Sequence, residues 1–366
     1  MGPISQTLRL RDHKASTSNL GASAKAIDIF PPVVQAPMSA ITNLAMRDIS
    51  ESFGCPFTIT EFLPATSIAA GNKNVLNKIT PSSGGKPYGV QIYGRNPRDM
   101  EEAAVYLADR GVPLIDINMG CPGKRISSAS CGAALMREPT LAEDIVAAVY
   151  ESAHTRSLVS VKMRTGWDDN TLNAPDIAIR SVNAGACMIT VHGRTRQQKY
   201  SGSVNLDIIR DVKQTLVDHC IPVLANGDIC DLRSLKYALD ISKADGVMIG
   251  RAAIGNPWIF PVLNSYWQKE SNANDQAPTA TDRISTYLAH LNKYIDLIGE
   301  EGALIESRKF AAHYLASLDP QKSLLKSIYS ARSFQEVSAA LSPLSGGVVN
   351  LSPFDSAIPA NTARAS

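Results

Sequence analysis

The sequence lacks the features that would place it in a membrane, outside the cell or around a structural metal ion. No apolar run reaches about 18 residues, so we expect no transmembrane helix. The six cysteines form no CxxC pair, which argues against a zinc ribbon or a thioredoxin-like motif, and we predict no metal site. Residues 1–25 are polar and serine-rich, which indicates no secretory signal. We therefore expect a cytoplasmic protein with no membrane partner.

An excess of charge of one sign is also missing. Lysine and arginine total 36 against 34 acidic residues, for a net charge of +2. A protein that grips a phosphate backbone usually shows a basic excess somewhere, so the total alone does not indicate a nucleic-acid partner. The hydrophobic fraction of 44% is typical of a globular chain and excludes wholesale disorder.

Short apolar runs alternate with amphipathic segments along most of the chain. Eight runs lack polar alternation, as strands covered on both faces do. They span residues 33–36, 57–60, 89–93, 114–118, 159–163, 188–192, 222–226 and 246–250. Helical spacing predicts helices over 43–53, 97–109, 141–154, 175–184, 206–216 and 232–239. This alternation favours an α/β fold, the (β/α)8 TIM barrel, and the missing GxGxxG argues against a Rossmann domain.

The remaining segments define the domain organisation that we predict. Residues 1–27 are expected to be a flexible leader, and residues 28–267 the TIM-barrel catalytic domain. The polar stretch 268–281 predicts a linker. Only helical patterns occur over 282–341, which indicates a small all-helical C-terminal domain. Residues 342–366 are rich in Pro, Gly, Ser and Ala, as disordered tails are.

Polar side chains follow nearly every predicted strand. The active site of such a barrel lies at the C-terminal ends of its strands. Asn-Gly-Asp at 226–228 and Ile-Gly-Arg at 249–251 follow the last two strands, where many barrels bind phosphate. Glycine lets the backbone approach an anion and Arg251 adds charged donors. The pattern predicts a phosphate site for a substrate or a cofactor, and two tight turns without a ligand are the alternative.

Three further side chains at this rim have useful chemistry. An unpaired buried ammonium is costly, so Lys162 is expected to meet an anion or a polar ring edge, unless it reaches out to solvent. His192 has either a binding or a structural role. Cys121 is either an inert buried thiol or an acid, since an unperturbed thiol with a pKa of about 8.5 is mostly protonated at neutral pH.

Together these motifs resemble the tRNA-dihydrouridine synthases, a family of FMN-dependent enzymes. The matching segments, in family order, are APM at 36–38, GVQ at 89–91, DINMGCP at 116–122, VKMRTGW at 161–167, VHGRTR at 191–196, ANGD at 225–228 and residues 246–257. DINMGCP combined with HGRTR is the specific part of the pattern. RTGW and GNPW at 255–258 make the bacterial B-type subgroup the most similar one.

The resemblance implies FMN as cofactor, NADPH as reductant and tRNA as substrate. The cofactor-binding residues it implies are Pro37, Met38, Ser39, Gln91, Lys162, His192, Asn226, Gly227, Asp228, Gly250 and Arg251. Cys121 matches the general acid of the family. Hydride would pass from flavin N5 to uracil C6 and a proton from Cys121 to C5, which reduces a uridine of the tRNA D-loop.

The target base must leave the RNA structure to meet the flavin, so recognition is expected to use tRNA shape and phosphate contacts. The substrate contacts that we predict are Asn118, Arg164, Arg194 and Arg196 at the rim, and Arg308, Lys309, Lys322 and Lys326 in the helical domain. An ordinary solvated helix face is the alternative for the second group. We expect a monomer.

Two other functions fit parts of the sequence. A dihydroorotate dehydrogenase-like oxidoreductase would share the phosphate site but would not need a basic helical domain. A non-catalytic tRNA-binding factor would need neither Cys121 nor Lys162. Two positions depart from the family pattern, since Cys131 replaces another small residue and Ser39 replaces the more usual alanine. Neither departure changes the interpretation.

Overall fold

A computed structural model describes residues 7–14, 26–123, 130–268, 277–318 and 323–344. Its strands are β1 (Leu8–Arg11), β2 (Ala26–Ile29), β3 (Val33–Gln35), β4 (Phe57–Ile59), β5 (Leu63–Pro64), β6 (Tyr88–Tyr93), β7 (Leu114–Met119), β8 (Leu158–Arg164), β9 (Ile189–His192), β10 (Val223–Asn226) and β11 (Gly246–Ile249). Eight of them, β3, β4 and β6 to β11, pair in parallel around a closed ring that β3 and β11 complete. The predicted TIM barrel is confirmed.

Helices surround the barrel and continue beyond it. They span Leu44–Ser52, Ala65–Ala69, Lys73–Leu76, Pro97–Asp109, Pro139–Ala153, Ala174–Ala184, Leu206–Thr215, Leu232–Ser242, Ile259–Gln268, Ala280–Ile298, Glu300–Glu306, Arg308–Tyr314, Ser323–Ser330 and Phe334–Leu341. All eight predicted strands and all six predicted barrel helices are present, with ends shifted by a few residues at most. The signals were strong because the strands are buried on both faces and the helices on one.

The described part of the expected leader contains two strands. β1 and β2 form an antiparallel pair, while residues 1–6 and 15–25 lie outside the described residues. Leu8 and Leu10 are buried in a cluster with Leu114 and Leu158, which are the first residues of β7 and β8. The pair therefore covers the end of the barrel opposite to the rim. Alternate apolar side chains of these strands bury against the barrel, and the bounds of the expected leader stay a prediction.

The helices after the barrel pack on it. Ala280–Ile298 contacts Leu44–Ser52, and Lys293 forms an ion pair with Asp48, with 3.7 Å between Nζ and Oδ2. The helix begins two residues before the predicted domain boundary, with Thr279 as its N-cap. The other predicted bounds stay predictions, since most of the linker, part of the helical domain and nearly all of the tail lie outside the described residues. Within the described residues, no helix combines the length and apolar character that crossing a bilayer requires.

The buried position of Leu10 generates a prediction. Leu10→Ala removes a fully buried side chain from the base of the barrel and should lower the free energy of unfolding by about 2–5 kcal/mol. Chemical denaturation measures the change. Arg9→Ala is the matched control, because its side chain points to solvent and pairs there with Asp28. Equal, small effects of the two substitutions would contradict the packing role of this strand.

Candidate active site

The C-terminal ends of the barrel strands surround a cavity of about 1010 Å³. The structure brings all eleven predicted cofactor residues together in its lining: Pro37, Met38, Ser39, Gln91, Lys162, His192, Asn226, Gly227, Asp228, Gly250 and Arg251. Asn118, Cys121 and Arg164 line it too. The strand ends meet here because the barrel is parallel and closed, so residues far apart in sequence become neighbours.

The turn after β10 comes close to other parts of the wall. Gly227 has a φ of +123°, and a Cβ atom there would lie 2.5 Å from Cγ1 of Val204. Asp228 is also left-handed, with a φ of +52°. Its carboxylate accepts hydrogen bonds from Arg194, at 2.9 Å, and from Arg251, at 3.0 Å. The carboxylate therefore holds two guanidinium groups in place at this end of the cavity.

Lys162 lies in the cavity wall with one fixed partner. Its Nζ donates to Oδ1 of Asn226 at 3.0 Å, and Nδ2 of Asn226 donates to the carbonyl of Met248 at 2.8 Å. An ammonium carries three N–H groups, so others remain for a ligand. Burial, with a smaller contribution from Arg164, lowers the pKa of Lys162 to about 8. The side chain is therefore mostly charged at neutral pH and loses its charge under mildly basic conditions.

Cys121 presents a protonated thiol to the same cavity. Burial raises the pKa of this thiol above its usual value, although nearby Arg164 and Lys162 act in the opposite direction. The group is therefore neutral at pH 7 and able to donate a proton. Cys131, the departure from the family pattern, is buried and does not line the cavity.

His192 is buried beside Gly227 and stays neutral. Burial, and then the positive charge of Lys162, lowers the pKa of its imidazole to about 2. A neutral ring donates through one nitrogen atom and accepts through the other. His192 therefore offers the cavity a polar edge without a charge.

Asn118 was predicted to contact the substrate, and its carboxamide is already bonded to the protein. Its Nδ2 donates to Oε1 of Gln91 at 2.7 Å. Its Oδ1 accepts from the backbone N–H groups of Gly120, at 3.1 Å, and Cys121, at 2.9 Å. Asn118 thus anchors the start of the loop that carries the thiol. Sequence reasoning did not reveal this role, because the side-chain bond joins residues from two strands.

Two of the predicted RNA contacts are buried framework residues. Arg164 donates from Nε to the carbonyl of Gly120 at 2.6 Å and from Nη1 to that of Lys199 at 2.8 Å. Arg194 is buried against Asp228 and donates to backbone carbonyls of the loop after β9. These guanidinium groups are bonded inside the protein, and their contact with RNA stays a prediction.

The outer part of the rim combines arginine with aromatic rings, and Arg137 and Tyr200 are its exposed members. The guanidinium of Arg196 lies 4.6 Å from the centre of a Trp167 ring, and that of Arg137 lies 5.0 Å from it. Tyr200 is 57% exposed, lines the cavity and has Arg251 at 5.2 Å from its ring. The sequence alone did not indicate Trp167, Tyr200 or Arg137 as rim residues, although the RTGW motif contains Trp167. Arg196 remains a candidate contact.

Of the predicted basic residues of the helical region, Arg308, Lys309 and Lys326 do not line the cavity. Arg308 donates to the carbonyl of Tyr329 at 2.7 Å, and Lys309 pairs with Glu306 at 2.7 Å. Lys326 is exposed, and Lys322 lies outside the described residues. Fewer basic side chains of this region are therefore free to contact RNA than the sequence indicates.

Comparisons with known proteins agree with the motifs. The model of the family described as "Dihydrouridine synthase (Dus)" matches residues 34–344. A "Probable tRNA-dihydrouridine synthase" from Rickettsia typhi is 36% identical over 297 residues, which cover 80% of this chain and 88% of that protein. The "tRNA-dihydrouridine synthase B" of Shewanella oneidensis is 34% identical over 291 residues, which cover 79% of this chain and 88% of that protein.

The matched region contains the barrel except for its first residue, Val33, and all of the described helices that follow it. It includes the cavity and the loop that carries Cys121. As its motifs predict, the chain belongs to the dihydrouridine synthase family of oxidoreductases.

Proposed function

We propose that this protein is a tRNA-dihydrouridine synthase that uses FMN and NADPH to reduce the C5–C6 double bond of uridine in the tRNA D-loop. The observation that carries the proposal is the position of a protonated thiol, Cys121, in the same cavity as Lys162 and the glycine-rich turns. A thiol and an ammonium at one cavity suit a reaction that adds a proton to a base after a hydride.

The residues of the cavity fit FMN. Small-molecule sites typically measure about 300–1,000 Å³, so a cavity of about 1010 Å³ has room for a cofactor and a base. Arg251 and the turn at Gly227 supply charge and close backbone approach for the phosphate. Gln91, Lys162 and His192 supply polar groups for the ring, next to Met38. The predicted cofactor assignments are kept in this proposal, with Asp228 acting through the arginines that it holds.

The chain contributes the proton and the charges of the reaction. Bound FMN, once reduced by NADPH, would supply the hydride that uracil C6 receives. Cys121 holds the proton for C5, because burial keeps its thiol neutral. Lys162 brings a positive charge into the cavity, which favours an anionic flavin ring. His192 is neutral, so its ring adds no charge of its own to the cavity.

The substrate RNA would lie across the exposed rim. An extruded uridine must pass Tyr200 and Arg251 to reach the cavity, and both have exposed side chains. Arg196 and Arg137, beside Trp167, add positive charge next to the loop that carries Tyr200. In the helical region, Lys326 supplies a further positive charge. Of the contacts predicted there, it is the one that we retain.

Replacing the thiol tests the proposed acid. Cys121→Ala should leave the yellow flavin spectrum of the purified protein intact and reduce dihydrouridine formation about 10²–10⁴-fold, because general acids contribute that much. Mass spectrometry of tRNA from a single-turnover reaction measures the product. Cys220→Ala is the control, since Cys220 is an exposed thiol outside the cavity lining. Undiminished product formation by Cys121→Ala would remove the residue from this role, and a colourless wild-type protein that FMN cannot reconstitute would refute the flavin enzyme.

The pKa of Lys162 predicts the pH dependence of turnover. With a value of about 8, its ammonium is charged below this pH and neutral above it, so its electrostatic help is present at pH 7 and is lost as the pH rises through 8. The turnover rate should fall over this interval, measured between pH 6.5 and about 9.5. Lys162→Arg should move the fall to higher pH. Lys213→Met, in an ion pair with Asp245 away from the cavity, should keep the fall where it is. A flat profile in the wild type would contradict the assignment.

Substitutions of Lys326 and of Arg308, two basic residues of the helical region, should have different effects on tRNA binding and stability. Lys326→Ala should reduce the slope of log affinity for tRNA against log salt by about 0.7–0.9, the value of one lost phosphate contact. Arg308→Ala should instead lower thermal stability, because its bond to the carbonyl of Tyr329 is lost, and leave the slope unchanged. Filter binding at several salt concentrations separates the two. An unchanged slope in Lys326→Ala would show that the RNA does not reach this helix.

A further inference from the structure

Behind the cavity, three neighbouring strands place polar side chains in one layer of the barrel interior. Asp116 of β7 is in register with Gln91 of β6 and with Ser160 of β8. Paired residues of neighbouring parallel strands point to the same face, so the three side chains meet. All three are fully buried. Buried polar groups must find partners in one another, and here they do.

The hydrogen bonds from the Cys121 loop through Asn118 and Gln91 all donate towards Asp116, and Ser160 donates to Asp116 from the other side. Ser160 Oγ donates to Oδ1 of Asp116 at 2.6 Å, and Nε2 of Gln91 donates to Oδ2 at 2.6 Å. Oε1 of Gln91 then faces Asn118 and accepts from its Nδ2 at 2.7 Å. Oδ1 of Asn118 finally accepts the backbone N–H groups of Gly120 and Cys121. The chain of bonds starts at a carboxyl group and ends at two backbone donors.

The groups at the two ends of this series of hydrogen bonds determine which way each carboxamide must point. A backbone N–H only donates, so Asn118 must present its oxygen atom to the loop. Gln91 must then present oxygen to Asn118, and its NH₂ group needs an acceptor on the other side. Asp116 supplies this acceptor: burial raises the pKa of its carboxyl group, while the hydrogen bonds that Ser160 and Gln91 donate to its two oxygen atoms act in the opposite direction. If either carboxamide turned round, N–H would face N–H in a buried site, which is costly.

We propose that Asp116 is a positioning residue that sets the orientation of Gln91 and Asn118 and thereby holds the backbone of Cys121 in place. The proposal deepens the function given above and rests on the role of Cys121 in it. It also explains what the cavity presents to a ligand. Each carboxamide NH₂ keeps a second N–H that the chain of bonds does not use, so Gln91 and Asn118 offer donors at the wall.

The test uses two substitutions of Asp116 that differ in hydrogen bonding. Asp116→Leu has a similar size and no acceptor, so Gln91 is no longer oriented. Asp116→Asn can keep the direction, with its oxygen towards Gln91 and its NH₂ towards Oγ of Ser160, which accepts as well as donates. Thr190→Val is the matched control, because Thr190 is a fully buried residue of β9 whose hydroxyl has no hydrogen-bond partner within the described part of the chain.

The readouts are hydrogen exchange at the backbone N–H groups of Gly120 and Cys121 and the rate of Cys121 alkylation by iodoacetamide, each resolved by peptide mass spectrometry. They are measured on the full chain with and without FMN. In Asp116→Leu both rates should rise about tenfold, which is the effect of losing one net hydrogen bond. Asp116→Asn and Thr190→Val should stay within about twofold of the wild type. Wild-type rates in Asp116→Leu, or equal loosening in Asp116→Asn, would overturn the proposal.

A further variant keeps the test decisive if Asp116→Leu does not fold. Gln91→Met cuts the chain of bonds one link nearer to the loop and leaves Asp116 intact, so it should raise both rates in the same way. Unchanged rates in that variant would also overturn the proposal. Neither readout needs turnover, so inactivity of the wild-type protein on tRNA would refute the proposed function and leave this inference standing.

Discussion

The closure of eight parallel strands is the constraint on which the rest of the structure depends. Each strand runs in the same direction around the ring, so every C-terminal end reaches one rim. Residues from Pro37 to Arg251 meet there around one cavity. The opposite end has no such requirement and is covered by the apolar side chains of β1 and β2. The register of the ring also aligns Gln91, Asp116 and Ser160.

The buried cations have two roles: the arginines stabilise the loops around the cavity, and Lys162 is available to a ligand. Arg164 and Arg194 donate hydrogen bonds to carbonyl and carboxylate oxygens of the surrounding loops. They fix the backbone next to Cys121 and Tyr200, because a guanidinium can bridge several acceptors at once. Among the described residues, Lys162 donates only to Asn226, and burial lowers its pKa. A cation that is incompletely paired in a cavity is the one available to a ligand.

The distribution of charge is more informative about RNA than its total. The net charge of +2 conceals both the arginines beside Trp167, of which Arg137 is exposed and Arg196 half-buried, and the ion pairs that neutralise other basic residues. Lys309 shows the difference, since it counts as a positive charge in the sequence and is paired with Glu306 in the structure. Whether a basic residue faces RNA is decided by its partners, and these come from elements that the sequence does not place side by side.

The sequence by itself determined the barrel and its strands, because strands buried on both faces leave local patterns, and it named about half of the residues that line the cavity at the ends of those strands. It also indicated the family through DINMGCP and HGRTR. Only the tertiary structure decided what these residues do to one another. Asn118 anchors a loop, Asp228 holds two arginines, and Asp116 accepts a hydrogen bond from Gln91, the partner of Asn118. Such roles depend on hydrogen bonds between strands, and the partner across a strand leaves no mark in the local sequence.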